Sequence, residues 1–532
     1  MALPTGLRLG IDEVAHAGDS DRATLRLDAP PLNVMAWFRA LILSAFGILI
    51  VFGCVLRFWK LTGVGLWYDE LWTVVGASHR PFMEMYREWI LGDSHPPGFF
   101  LFYFAWFKIV PDTEFWARIP SAIAGVITVM YVLFRTHGIL TRDERIMSAS
   151  FASLSYVYIF YALSVKQYSA MILFATVATV SYLEIVAARR VDRRTGITLA
   201  MACLALAHLN HFAMVYAWIL VALLALTFRH DREAVRRIMR IGIAFGLGYL
   251  PIVYFLYVQV KYAIDAWQPY EIRSFWSNLL PSLFFDDPTL VKCALGILLG
   301  FVLLPVVTRQ HARQALAANR NRHIVLIVAA FVGFMLLLGM AEPLFFVRYF
   351  LVVLPALFLG LGILTAAAFP LEKGCLAMLP LTFFFYAAVV QFHAIDGMKR
   401  QQWDKSVDFV LASIKPDESI FVLGAKMNET EFDYLAEGDV DGVFYVRNLK
   451  FYQYYFRRRG ASDMAAKLEV VEPTVESVQE LATRFHGTGS AIYVLAGHHI
   501  QYTGKALATL ERVTRRMEVT PMYSTLVYRL IF

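Results

Sequence analysis

What the chain has little of narrows it first. Only 17% of its 532 residues are charged, below the roughly 25% of soluble domains. With 58% apolar residues, 15% aromatic residues and a mean hydropathy of +0.54, it reads as a polytopic α-helical membrane protein. Cysteine is scarce. The four present, Cys54, Cys203, Cys293 and Cys375, lie in or beside apolar stretches without CxxC spacing, which argues against a disulfide framework and a thiolate zinc site. Residues 1–36 carry Arg8, Asp12, Glu13, Asp19, Asp21 and Arg22 but no apolar core of a cleaved signal peptide, and read as a disordered cytoplasmic tail. No glycine-rich phosphate loop occurs after residue 395, which leaves nucleotide binding there without a motif. The net charge of +7 comes from short clusters between apolar runs rather than one basic face, so nucleic acid is not an expected partner.

Apolar segments are what the chain has in abundance. A crossing needs roughly 20 residues, and about eleven candidates fall near 37–59, 115–134, 145–163, 168–188, 196–208, 210–228, 240–259, 290–307, 323–341, 346–369 and 374–394. Arginines crowd the loops after alternate spans: Arg135, Arg142 and Arg145; Arg189, Arg190, Arg193 and Arg194; Arg229, Arg232, Arg236, Arg237 and Arg240; Arg309, Arg313, Arg320 and Arg322. The positive-inside rule makes those loops cytoplasmic. Pro97 to Val110 is then a short interfacial or re-entrant helix. This topology gives a transmembrane domain over 37–395, with 60–114, 259–289 and everything after about 395 outside. Residues 396–532 alternate helical and strand patterns (WDKSVDFVLASI, SIFVLG, AIYVLAG, STLVYRLIF) and predict a soluble α/β domain on that face.

The stretch GLWYDELW, directly after the first span, places Asp69 and Glu70 side by side near a low-dielectric boundary, where a carboxylate is costly unless paired or used. Acids also suit the first turn of a helix, so capping alone accounts for the pair about as well. Lys166, Arg348 and Arg118 stand beside spans on the same face. Each alone fits a snorkelling cation, but together with the acidic pair they suit a phosphate-bearing lipid. The HLNH turn around His208 and His211 reads as structural. Asp287-Pro288 reads as a helix start, Trp267, Phe275, Trp276, Phe284 and Phe285 as an interfacial belt, and Arg457-Arg458-Arg459 as a solvated charge cluster.

The order of WYDELW, SHPPGFFLFYFAW, WARIPSAIAGVITVMYVLFR, YALSVKQYSA, HLNHF, VRYFLVVLPALFLG and QQWDKSVDFV, from about Ala36 to Leu411, resembles the C-type-fold membrane glycosyltransferases related to protein O-mannosyltransferases and the lipid A aminoarabinose transferase. The resemblance implies transfer of a sugar from a polyprenyl-phosphate carrier to an envelope glycan, lipid or protein, outside the cytoplasmic (inner) membrane, by direct displacement with inversion. It maps the catalytic aspartate onto Asp69, with Glu70 as its neighbour. Lys166 and Arg348 are then candidates for the leaving phosphate, Tyr349, Tyr168 and His95 for hydrogen-bond donors, and Arg118 for the cation that orients Asp69 or Glu70. Where relatives often carry an Arg-x-Tyr element this chain has VKQYS, a point charge in place of a fork. A divalent metal is compatible with these residues but no ligand spacing supports one, so none is expected. The alternative, a transporter or flippase of a lipid-linked sugar, fits intramembrane charge equally well but lacks an inverted repeat. A receptor anchored by the spans leaves Asp69 and His95-Pro96-Pro97 without purpose.

Overall fold

The computed structural model describes residues 34–78, 81–263, 319–341, 347–424, 440–497 and 504–532. Six helices among them are long and apolar enough to cross a membrane: Ala36–Trp59, Glu114–Gly138, Tyr168–Ala188, Arg232–Val258, Asn319–Met340 and Gly374–Asp396. Four other expected spans take shorter forms. Residues 145–163 form two helices, and 196–208 and 210–228 form helices of 17 residues each. The segment 346–369 becomes a short 3-10 turn, Val347–Val352, followed by Leu354–Ala368. The candidate at 290–307, the aromatic belt and Asp287-Pro288 lie outside the described residues.

The first long helix, α1 (Val34–Trp59), leads into a short loop, then α2 (Tyr68–Ala77), a four-residue turn of helix α3 (Phe82–Met85) and α4 (Gly98–Trp106). With nine residues, α4 is too short to span. Next come α5 (Glu114–Arg135), α6 (Arg142–Leu154), α7 (Tyr156–Ala162), α8 (Tyr168–Ala188), α9 (Arg193–Leu209), α10 (His211–Thr227) and α11 (Arg232–Ala263). The break between α6 and α7 has a cause in the sequence. Ser155 is extended (φ −67°, ψ 122°) and caps α7, accepting from the Tyr158 amide, as a hydroxyl does at a helix start. The carbonyls left over at the end of α6 are met by Arg57 of α1, fully buried, which donates to Ala152 and Ser153 at 2.8 Å and to Gly53 of its own helix at 2.5 Å. A guanidinium at a helix C-terminus satisfies orphan acceptors and opposes the helix dipole.

After residue 400 the chain builds a five-stranded sheet: β1 (Ser419–Leu423), β2 (Glu469–Val471), β3 (Ala491–Ala496), β4 (Arg516–Met522) and β5 (Thr525–Ile531). The order is β2-β1-β3-β5-β4, with β1 parallel to β2 and β3, and β5 antiparallel to β3 and β4. Side chains alternate faces along a strand, and that period divides two cores. Ile420, Val422, Tyr493 and Leu495 face the helices Trp403–Ser413 and Val440–Arg458 together with α2 and Trp89. Phe421, Leu423, Ile492 and Val494 face the amphipathic helices Val475–Phe485 and Gly504–Val513. The expected strands and the 403–413 helix are present. The first core is continuous with the α1–α5 loop: Trp72 meets Trp89 edge-on at 5.4 Å, and Tyr68 meets Phe451 at 5.2 Å.

Candidate active site

Asp69 and Glu70 occupy successive positions in the first turn of α2, about 100° apart around the helix axis, so they face different surroundings. Glu70 points inward and is fully buried. Arg118 of α5 grips it with two parallel hydrogen bonds, Nε to Oε1 at 3.1 Å and Nη2 to Oε2 at 2.7 Å. Arg400 Nη1 lies 2.6 Å from Oε1, and the Val165 amide donates to the same oxygen at 2.9 Å. Burial alone pushes this carboxyl up, but Arg118 and Arg400 outweigh it and hold it down at about 2. Arg118 also donates to the Leu61, Val64 and Gly65 carbonyls, fixing the loop that enters α2. This is the orienting salt bridge expected of Arg118, made to Glu70. Both Glu70 oxygens are taken up by these partners, which hold the first turn of α2 in place.

Asp69 points the other way. Its side chain is 26% exposed, and its Oδ2 lies 3.5 Å from Nη1 of Arg348, which the Val347–Val352 turn brings in. Next to Arg348, Tyr349 stacks on Phe212 of α10 with ring centroids 4.2 Å apart. The Arg348 guanidinium is within electrostatic reach of Tyr161, Tyr168 and His95 as well.

A second carboxylate completes the cluster. Asp93, 6% exposed, accepts from the His95 backbone amide at 2.9 Å and meets His95 Nδ1 at 2.6 Å. Its other oxygen lies 3.8 Å from Lys166 Nζ. Tyr168, at the start of α8, brings its hydroxyl to 3.5 Å from His95 Nε2, and Tyr161 packs on Tyr168 at 4.7 Å. Burial pushes the Asp93 carboxyl up, but Lys166 and His95 prevail and hold it at about 2. For His95 burial is the largest influence and lowers it, with Lys166 and Arg348 adding to the fall and Asp93 opposing it. Burial thus favours the neutral imidazole, and the Asp93 carboxylate beside Nδ1 favours the tautomer that carries its proton on that nitrogen.

The remaining supports come from the C-terminal part. Tyr455 hydroxyl accepts from the Leu66 amide at 2.7 Å and Gln401 Oε1 from the Tyr68 amide at 2.8 Å. Both bonds lock the backbone just ahead of Asp69. Gly65 has no room for a side chain, since a Cβ there would stand 2.5 Å from Asp404 Oδ1, and Gly98 after the two prolines is pressed likewise on the His208 carbonyl. His208 and His211 serve the α9–α10 turn. Asn210 caps α10 through the Phe212 amide at 2.9 Å, His208 Nδ1 meets the Leu204 carbonyl, and His211 Nδ1 meets Tyr249. Arg459 pairs with Asp408, while Arg457 and Arg458 line a polar cleft of ≈ 550 Å³ at the far end of α2.

The structure thus brings together Asp69 with Arg348, His95 with Lys166 and Tyr168, and Glu70 with Arg118. Sequence reasoning missed Asp93, whose signal is an aspartate two residues before His95-Pro96-Pro97. It also missed Arg400, which carries no signal, because Lys399-Arg400 beside a span end looks like any snorkelling pair. Among the described residues, no three His, Cys, Asp or Glu side chains gather as a metal-binding set. The site offers an accessible carboxylate able to take a proton from a hydroxyl and two cations able to hold an anion.

Residues 94–260 match the family model described as dolichyl-phosphate-mannose-protein mannosyltransferase, a stretch that contains His95, Arg118, Lys166 and Tyr168. No curated protein matches the chain by sequence. Among solved structures, ArnT from Cupriavidus metallidurans in the apo state aligns with a TM-score of 0.53 at 11% identity, over 91% of this chain and 98% of that one. The same protein bound to undecaprenyl phosphate aligns at 0.49 and 11%, over 93% and 98%. The Archaeoglobus fulgidus oligosaccharyltransferase with Zn and sulfate aligns at 0.47 and 13%, over 91% and 73%. At this identity the likeness to apo ArnT is one of fold, and the resemblance to the C-type-fold membrane glycosyltransferases is borne out.

Proposed function

We propose that this chain, built on the C-type glycosyltransferase fold, moves a sugar from a polyprenyl-phosphate carrier to a hydroxyl-bearing glycan, lipid or protein on the outer face of the cytoplasmic membrane. The observation that carries the reading is the placement of Asp69, partly exposed beside Arg348, with Lys166 and His95 gathered on a second carboxylate nearby. Asp69 takes the proton of the acceptor hydroxyl as it attacks the anomeric carbon. A single base suffices for direct displacement with inversion. Arg348 and Lys166 stabilise the charge that develops on the departing lipid phosphate, with Tyr168 and Tyr349 beside them. Glu70 acts at one remove, by fixing the helix that carries Asp69 and, through Val165, the segment that carries Lys166. Residues 396–532 contribute the outer α/β unit that clamps the Asp69 loop, and the reaction needs no metal.

Transfer of radiolabelled sugar from a panel of polyprenyl-phosphate sugars, in membranes holding the wild type or Asp69→Asn, tests this. Label should reach a less lipophilic product with the wild type alone. Label that instead crosses the bilayer of sealed vesicles without being transferred would replace the enzyme by a flippase.

A further inference from the structure

The reaction changes the charge of the carrier. In the donor the phosphate is a diester with one negative charge. When the C1–O bond breaks, its electron pair stays on the phosphate oxygen, while a new C1–O bond forms to the acceptor and the hydroxyl proton passes to Asp69. The released monoester has a second ionisation near ~6 and carries close to two charges at neutral pH. With His95 neutral, the ionised groups of the cluster cancel, because Lys166 and Arg348 stand against Asp69 and Asp93. Against a cluster that sums to zero the bound donor leaves one negative charge in excess, and the product, once Asp69 has passed on the proton it took, leaves two, so that one further proton restores the balance held with the donor.

His95 is placed to correct it. Asp93 holds Nδ1 at 2.6 Å and fixes through the backbone amide, at 2.9 Å, the turn from which the ring projects. That leaves Nε2 directed toward the Tyr168 hydroxyl on the Arg348 side of the cluster. A neutral ring in this tautomer has no hydrogen on Nε2, so it cannot donate to a phosphate there until it gains a proton. Among the described residues, the charged and titratable groups around it are Asp93 on its own turn, Lys166 ahead of α8, Tyr168 on α8 and Arg348 on the Val347–Val352 turn, with Ser94 Oγ 3.3 Å from Nδ1. Asp93 is the one carboxylate among them in contact with the ring, and it stabilises the imidazolium once formed.

Building on the reading proposed above, we infer that Asp93 and His95 form a proton-carrying pair that charges as the lipid phosphate becomes a monoester, so that product binds together with one proton on His95. Asp93 is a positioning residue, while His95 touches the phosphate. The sign follows. The free ring titrates below its ordinary range, a dianion beside Nε2 raises it, and the product is held more tightly as pH falls. Product release is then the step at which the proton leaves.

The experiment is calorimetric titration of the full chain in detergent with undecaprenyl phosphate, at about pH 7.5, in buffers of different ionisation enthalpy, where the free monoester is already mostly dianionic. Wild type should take up close to one proton per phosphate bound, His95→Gln none, and Asp93→Asn much less. The affinity gained by wild type as pH falls one unit should approach tenfold. Binding without proton uptake, or equal uptake by wild type and His95→Gln, overturns the pair and leaves the carrier reading standing. No binding by wild type overturns both. Should the variants fail to fold, a flat pH profile in the wild type alone refutes the inference.

Discussion

The Val165 amide and the Glu70 carboxylate meet at 2.9 Å, and this bond ties the segment carrying Lys166 to the helix carrying Asp69. The anchor is ionic. Arg118 and Arg400, both buried, converge on the same carboxylate. Glu70→Gln leaves two buried guanidinium groups uncompensated, a defect that costs roughly 3–5 kcal/mol. The expected outcome is a large fall in melting temperature together with loss of transfer. A variant of normal stability that has lost transfer would instead give Glu70 a direct chemical part.

Asp69→Asn should behave in the opposite way. Its ion pair with Arg348 is partly exposed, and such pairs contribute at most ~1 kcal/mol. Removing a general base costs about 10²–10⁴ in rate. Melting temperature should hardly move while transfer falls by at least a hundredfold, read side by side on one preparation.

Lys166→Ala and Arg348→Ala should weaken carrier binding. A hydrogen bond to a charged group contributes about 1.5–3 kcal/mol, equivalent to roughly 10–150-fold in affinity. The dependence of rate on donor concentration checks it, and an unchanged half-saturation in both variants would refute a phosphate clamp. Lys166→Ala also takes a cation from Asp93, so part of its effect should appear as lost stability.

Glu70 and Asp93 are both held near 2 by their cations, below the ordinary range around ~4. Groups depressed in the fold stabilise it above their unfolded values and lose that contribution as pH falls through the folded ones. Thermal stability should therefore be insensitive to these two groups between about pH 5 and 8 and should decline from ~4 downward. Glu70→Gln should flatten that acid limb. A decline of equal steepness in the variant would remove Glu70 from the account.

The loop is held from the C-terminal side by Tyr455, whose hydroxyl accepts from the Leu66 amide. Tyr455→Phe leaves a buried donor without its acceptor, a loss of ~1–3 kcal/mol, and should slow transfer without changing donor affinity. Equal rates would mean that the remaining bonds fix the loop unaided.

The sequence told most about what depends on local pattern. Long apolar runs form helices, the alternating runs after residue 400 form strands, and Asp69 and Arg348, far apart in the chain but each a charge beside an apolar run, are neighbours. Burial was not legible. Asp69 and Glu70 look equivalent as letters, and only the 100° step of the helix sends one to Arg348 and the other into a closed cage. Asp93 carries no mark of its ion pair in the sequence, because the cation that pairs with it, Lys166, comes from the loop ahead of α8, far along the chain. The 145–163 run reads as one span because a single serine among apolar residues does not reveal that its hydroxyl will start a new helix.

Arg57 at that break bears on how the chain is made. The end of α6 presents the Ala152 and Ser153 carbonyls to a guanidinium that belongs to α1, and carbonyls left unmet in lipid are costly. A helix that must end beside another helix cannot settle before its neighbour is there. Synthesis from the N-terminus delivers α1 first, so each α6–α7 pair meets a bundle already carrying the charge that completes it, and the order of the chain is also the order in which its membrane part can be assembled.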